Sequence, residues 1–164
     1  MKKMKLIGTK CEGNLRLWTT IPATRISVFA SQTVNVHGNY QLEQWAVEHG
    51  RLRHCVIGTF HSDAEREILN LVLANGGKAV WFRGCRLPFQ YTDVHLQAFL
   101  DGRLLVISCF NRKHHTEATA RFCAHWAAMC TDHHAYWFGF KSDFLTPMSQ
   151  KAFAWGKHVE IYED

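Results

Sequence analysis

From residue 24 onward, short apolar runs rich in β-formers alternate with segments of helical periodicity, and nothing else in the 164-residue chain restricts its fold as much. The runs are 25–30 (RISVFA), 54–57 (HCVI), 78–82 (KAVWF), 103–108 (RLLVIS), 134–139 (HAYWFG) and 158–162 (HVEIY). Between them the spacing predicts helices over 40–49, 63–74, 92–100, 116–130 and 146–155. The strongest is 63–74, where Ile68, Leu69, Val72 and Leu73 form one stripe and Asn75-Gly76-Gly77 supplies the stop. Gly50 is expected to end the first of these helices, and Thr92 and Thr146 to cap two others. Strands that are apolar on both sides belong to a parallel sheet covered on both faces. The expected fold class is therefore α/β, a three-layer, doubly wound, mostly parallel sheet of Rossmann-like type. Residues 1–23 are expected to form an N-terminal arm with a short strand at 15–19, ahead of a single domain at 24–164.

Composition narrows the class further. Hydrophobic residues make up 47% and charged residues 20%, which excludes a disordered chain. The formal charge of +5 suits a phosphate-bearing partner, and equally a solvated basic surface. No apolar run follows the basic start Met1-Lys2-Lys3-Met4-Lys5, and none is long enough to span a membrane. A cytoplasmic location without membrane association is expected, with thiols reduced. Most of the six cysteines lie in apolar runs, where a thiol acts as a small hydrophobe. No metal site is expected. Cys123 and Cys130 share a helix face two turns apart, too far to chelate one ion, and neither H-E-x-x-H nor a deaminase signature occurs.

In an open parallel sheet, ligands collect beyond the carboxyl ends of the strands, so the loops there are the candidate site. The segment Gly58-Thr59-Phe60-His61-Ser62-Asp63-Ala64-Glu65 joins the second run to the strongest helix. Gly58 is expected to serve close backbone approach rather than packing. Free amides of the helix start would favour an anion. Ser62 with Glu65 three residues later is also a capping-box signature that binds nothing. Ser31 opens a small polar loop after the first run, and Arg83 and Arg86 flank a glycine after the third. Ser108 leads into the most basic stretch, with Arg112 and Lys113, which could follow a nucleic-acid backbone. Lys141, Ser142 and Thr146 precede or open the last helix.

Taken in order, these segments resemble the Rossmann-like domain of the DNA-processing protein A (DprA/Smf) family, grouped with the lysine-decarboxylase-like proteins. The likeness is carried by the opening strand 25–31, the loop 58–61 with its helix and Gly76-Gly77-Lys78-Ala79-Val80, and Gly102 to Ser108 with Phe110. Arg121 and the segment 142–146 with Ala152 and Gly156 complete it. Phe122 stands where the family has Asn, and Phe60-His61 where it has Arg-Gly, as in a short, divergent relative. The resemblance implies a nucleotide-type or phosphate ligand held by Ser31, Gly58, Thr59, Phe60, His61, Ser62, Arg83, Ser108, Arg121, Ser142 and Thr146. It further implies single-stranded DNA binding, for which Arg112, Lys113 and Lys141 are the candidate backbone contacts, and a homodimer is expected from the kinship and the aromatic content together. No cofactor beyond such a ligand is expected. The alternative is a nucleotide- or nucleoside-processing enzyme using Glu65 or Glu67. The phosphoribohydrolase loop Pro-Gly-Gly-x-Gly-Thr-x-x-Glu is absent, which favours binding over catalysis.

Overall fold

The computed structural model describes residues 10–20, 25–31, 36–138 and 144–163. Among the described residues, seven strands form one sheet: β1 (Lys10–Gly13), β2 (Arg25–Ala30), β3 (Cys55–Gly58), β4 (Lys78–Arg83), β5 (Leu104–Ser108), β6 (His133–Phe138) and β7 (His158–Glu163). Six helices among the described residues accompany them: α1 (Arg16–Thr19), α2 (Val36–Arg51), α3 (Asp63–Ala74), α4 (Asp93–Leu100), α5 (Glu117–Met129) and α6 (Leu145–Ala154). The strand order is β1-β5-β4-β3-β2-β6-β7, with β1 antiparallel to β5 and every other pair parallel. The α/β class and the mostly parallel sheet are as the sequence predicts.

Period-two alternation divides each strand between two cores. Ile26, Val28 and Ala30 of β2 face the side covered by α2, α3 and α4, where Leu42, Trp45, Ile68, Leu69 and Ala98 complete one cluster. The opposite face is covered by α1, α5 and α6 and divides into two smaller clusters. One holds Ile57, Phe82 and Ile107 with Leu17 and Cys123; the other holds Phe29, Tyr136 and Phe138 with Ala124 and Met148. Cys55, Cys85, Cys109 and Cys123 are buried free thiols, and burial pushes that of Cys55 up to about 12. Among the described residues no helix is long and apolar enough to cross a membrane.

Several local expectations are corrected. The stretch expected as a strand at 15–19 contains helix α1, with Leu17 and Trp18 buried, and the N-terminal strand is β1. Gly50 does not stop α2 but lies within it, where a Cβ would come within 2.8 Å of Val72 O and Asn75 Cβ. Close approach of α2 to the end of α3 therefore outweighs the low helix propensity of glycine. Thr146 is not at the cap position: α6 begins at Leu145, and Phe144 at the N-cap position makes no side-chain cap bond. Gly58 closes strand β3, and its Cβ position lies 3.2 Å from the backbone oxygen of Val28, so the backbones of β2 and β3 approach closely there. The left-handed residue of the following turn is Phe60, at φ 45°.

Gly50→Ala should destabilise the protein by about 1–3 kcal/mol through overpacking. Urea unfolding checks this; an unchanged midpoint would show that the contact relaxes without cost.

Candidate functional site

The order of strands reverses at β2: β3, β4 and β5 follow on one side, β6 and β7 on the other. Ligand crevices open at such a point. Pairing of β2 with β3 ends at Ser27↔Ile57, whereas pairing with β6 runs on to Ala30↔Trp137. The last peptide groups of β2 on the β3 side therefore need other partners.

Ser62 and Glu65 supply them. Ser62 Oγ donates to Ala30 O at 2.8 Å, and Glu65 Oε2 accepts from Ala30 N at 3.0 Å. The other carboxylate oxygen accepts from His61 N at 3.0 Å and Thr59 Oγ1 at 3.2 Å. Glu65 N donates to Ser62 Oγ at 3.1 Å, the N-cap bond of α3. The capping signature is thus half realised, because the carboxylate turns to the end of β2 and the preceding loop. Burial pushes the Glu65 carboxyl above its ordinary 4.5, opposed by bonds from the Ala30 and His61 amides and the Thr59 hydroxyl. Of the amides expected to hold an anion at this turn, that of His61 is already taken by Glu65.

Beside this clamp lies a cavity of about 480 Å³. Ser31, Thr59, His61, Ser62 and Glu65 form one wall. The first turns of α5, with Thr116, Glu117 and Arg121, form another, and His115 and Phe144 complete the rim. Thr116 caps α5 through a reciprocal capping box with Thr119, so the positive end of that helix opens on the cavity. Arg121 pairs with Glu117 at 2.6 Å and lies 5.0 Å from the Phe144 ring centre. The His61 and His115 rings meet edge to face at 3.9 Å. His61 Nδ1 is buried with no hydrogen-bond partner among the described residues.

Five of the sequence-predicted residues thus meet at one cavity: Ser31, Thr59, His61, Ser62 and Arg121. Gly58 and Phe60 do not line it, the Phe60 ring lying in the core edge-on to Trp81. Arg83 and Ser108 hold the neighbouring loop instead. Arg83 Nε donates to Arg86 O at 3.0 Å, and Ser108 Oγ to Cys85 O at 2.8 Å. Arg112 and Lys113 are exposed in the loop after β5. Thr146 is half-buried in the first turn of α6 and is absent from the cavity wall. Lys141 and Ser142 lie outside the described residues. His115 and Phe144 were not anticipated. The one available signal was the Thr116 cap, which places the preceding residue at a strand-end crevice.

No protein-family model matches the chain, and no curated protein matches it. Solved structures do. DNA processing protein A from Helicobacter pylori aligns over 92% of this chain and 69% of its own, with a TM-score of 0.72 and 12% identity. That protein is known for a unique single-stranded DNA binding mode. DprA from Streptococcus pneumoniae aligns over 92% of this chain and 53% of its own, with a TM-score of 0.69 and 17% identity. The fold is that of DNA processing protein A. The chain spans little more than half of the Streptococcus DprA chain.

Replacing Glu65 with Gln should destabilise the fold by about 1–3 kcal/mol, because an amide NH₂ would face donors. Thermal unfolding checks it, and an unchanged midpoint would show that the clamp contributes nothing. A pH dependence is also expected. Burial holds His49, His54, His61, His95, His115 and His134 below the ordinary 6.5. The unfolded chain then binds more protons, so stability present above 6.5 is lost as pH falls below it. Glu65 acts oppositely, losing stability as pH rises from 4.5 through its elevated folded value. The unfolding midpoint should drop between about pH 7.5 and about pH 5.5; a flat profile would contradict the histidine contribution.

Proposed function

We propose that this chain binds single-stranded DNA across the carboxyl ends of its strands, with one nucleotide entering the cavity beside the Glu65 clamp. The observation that carries the reading is the unpartnered His61 Nδ1 in a cavity that also holds a cationic side chain and the start of α5. A volume of about 480 Å³ is in the range that takes a small ligand. The likeness to DNA processing protein A supports a DNA strand as the source of that nucleotide.

The chemistry divides into two parts. A base can stack on the aromatic rim formed by His61, His115 and Phe144. A phosphate is drawn to Arg121 and to the first turn of α5 rather than to the loop after β3, where it would face the Glu65 carboxylate. Arg112 and Lys113 then follow the strand outside the cavity. Lys141 and Ser142 are proposed contacts from the loop after β6. Glu65 is committed to its four-membered clamp with Ala30, Thr59 and His61, and Glu67 lies against a different groove with Tyr40 and Leu71, so binding is favoured over hydrolysis. A homodimer belongs to the same reading, and exposed Phe153 and Trp155 at the end of α6, with Ile161 of β7, are its candidate surface.

Fluorescence anisotropy with a labelled oligo-dT tests the proposal. Affinity should fall with salt, and Arg112→Ala with Lys113→Ala should each reduce the log–log slope by about 0.7. Arg121→Ala should weaken binding without lowering the stability by more than about 1 kcal/mol, since its ion pair is exposed. Binding that ignores both salt and these variants would exclude the proposed surface.

A further inference from the structure

The opposite end of the sheet carries a second group of side chains that the DNA reading does not use. His133 opens β6 and His158 opens β7, and the parallel register sets them side by side. Glu160 pairs in register with Ala135, one diagonal step along the same face. One ligand atom from each of the three residues lies within 4.8 Å of the other two. His133 Nε2 stands 3.3 Å from Glu160 Oε2, yet it is buried and has no hydrogen-bond partner among the described residues.

That geometry suits a shared ion better than a direct bond. Zinc ligands at about 2.0–2.1 Å in a tetrahedron lie about 3.3 Å from one another. The set is also supported from outside. Trp45 Nε1 donates to Glu160 Oε2 at 3.2 Å, and such an outer bond fixes a carboxylate's orientation. The His133 and His158 rings meet edge to face at 4.3 Å, which brings two imidazoles to one point without stacking them. His49 and His54 lie nearby, joined Nδ1 to Nδ1 at 2.7 Å, and burial favours their neutral forms.

We propose that His133, His158 and Glu160 form a binding site for a borderline divalent transition ion of the zinc type. Two imidazoles and one carboxylate select such ions over magnesium or calcium, which prefer oxygen ligands throughout. Three protein ligands leave a fourth position, and because His158 is exposed that position faces water. The ion would tie the edge strand β7 to β6, at the end of the sheet away from the DNA cavity. No sequence motif announces it, because the ligands come from two strands joined only by register.

Untagged protein, stripped with a chelator, is titrated with Co²⁺ and then Zn²⁺. The site predicts one equivalent of Co²⁺ with the intense visible absorption of tetrahedral coordination, displaced by Zn²⁺, and an unfolding midpoint that rises with Zn²⁺. His158→Ala and Glu160→Gln should each lose about tenfold or more in affinity, and with it the thermal shift. The metal-free midpoint of His158→Ala should stay near that of the parent, because His158 is exposed. No tetrahedral Co²⁺ spectrum, or binding that survives in both variants, would overturn the site. Oligo-dT binding should be unaffected by His158→Ala, which separates this inference from the DNA proposal.

Discussion

The two bonds that Ser62 and Glu65 make to the end of β2 organise the crevice at the carboxyl ends of the strands. Parallel pairing of β2 with β3 stops before β2 does, leaving the Ala30 peptide groups without a strand partner on that side. Ser62 and Glu65, both at the start of α3, take the carbonyl and the amide respectively. A helix start thereby does the work of a missing ladder rung. The same carboxylate gathers His61 N and Thr59 Oγ1, so the loop after β3 is held against the sheet rather than left to solvent. Burying a carboxylate is costly unless its oxygens are satisfied. Here both oxygens accept hydrogen bonds, and the cost is met locally.

That arrangement determines where a ligand can go. With Glu65 filling the loop after β3, the attractive field for an anion comes from across the crevice, from Arg121 and the capped start of α5. The rings of His61, His115 and Phe144 line the same cavity. A nucleotide bound there, as proposed, would set its flat part against these rings and its anionic part toward Arg121.

The central sheet was legible because every buried parallel strand is a dense apolar run, and α3 appears as Asp63–Ala74 with the limits its stripe and capping residue indicate. Elements decided by tertiary contact were not. β1 is exposed throughout and has no apolar signal, being an edge strand defined by its pairing with β5. Helix α1 is a single turn, too short for periodicity, and is fixed by burial of Leu17 and Trp18. Gly50 reads as a stop but is held in helix by its approach to Val72. At the site, Ser31, Thr59, His61, Ser62 and Arg121 were identifiable as strand-end or helix-face residues. The commitment of Glu65 to Ala30 was not, because it depends on where one ladder ends, and the His133–His158–Glu160 group depends on register in the same way.

Backbone amide NMR during titration with a short single-stranded oligonucleotide tests the central claim most directly. The account predicts that the largest shifts cluster at Ser31, Thr59, His61, Ser62 and the first two turns of α5, around the wall that Glu65 holds in place. Shifts confined to the amino ends of the strands, or no shifts at saturating oligonucleotide, would contradict it.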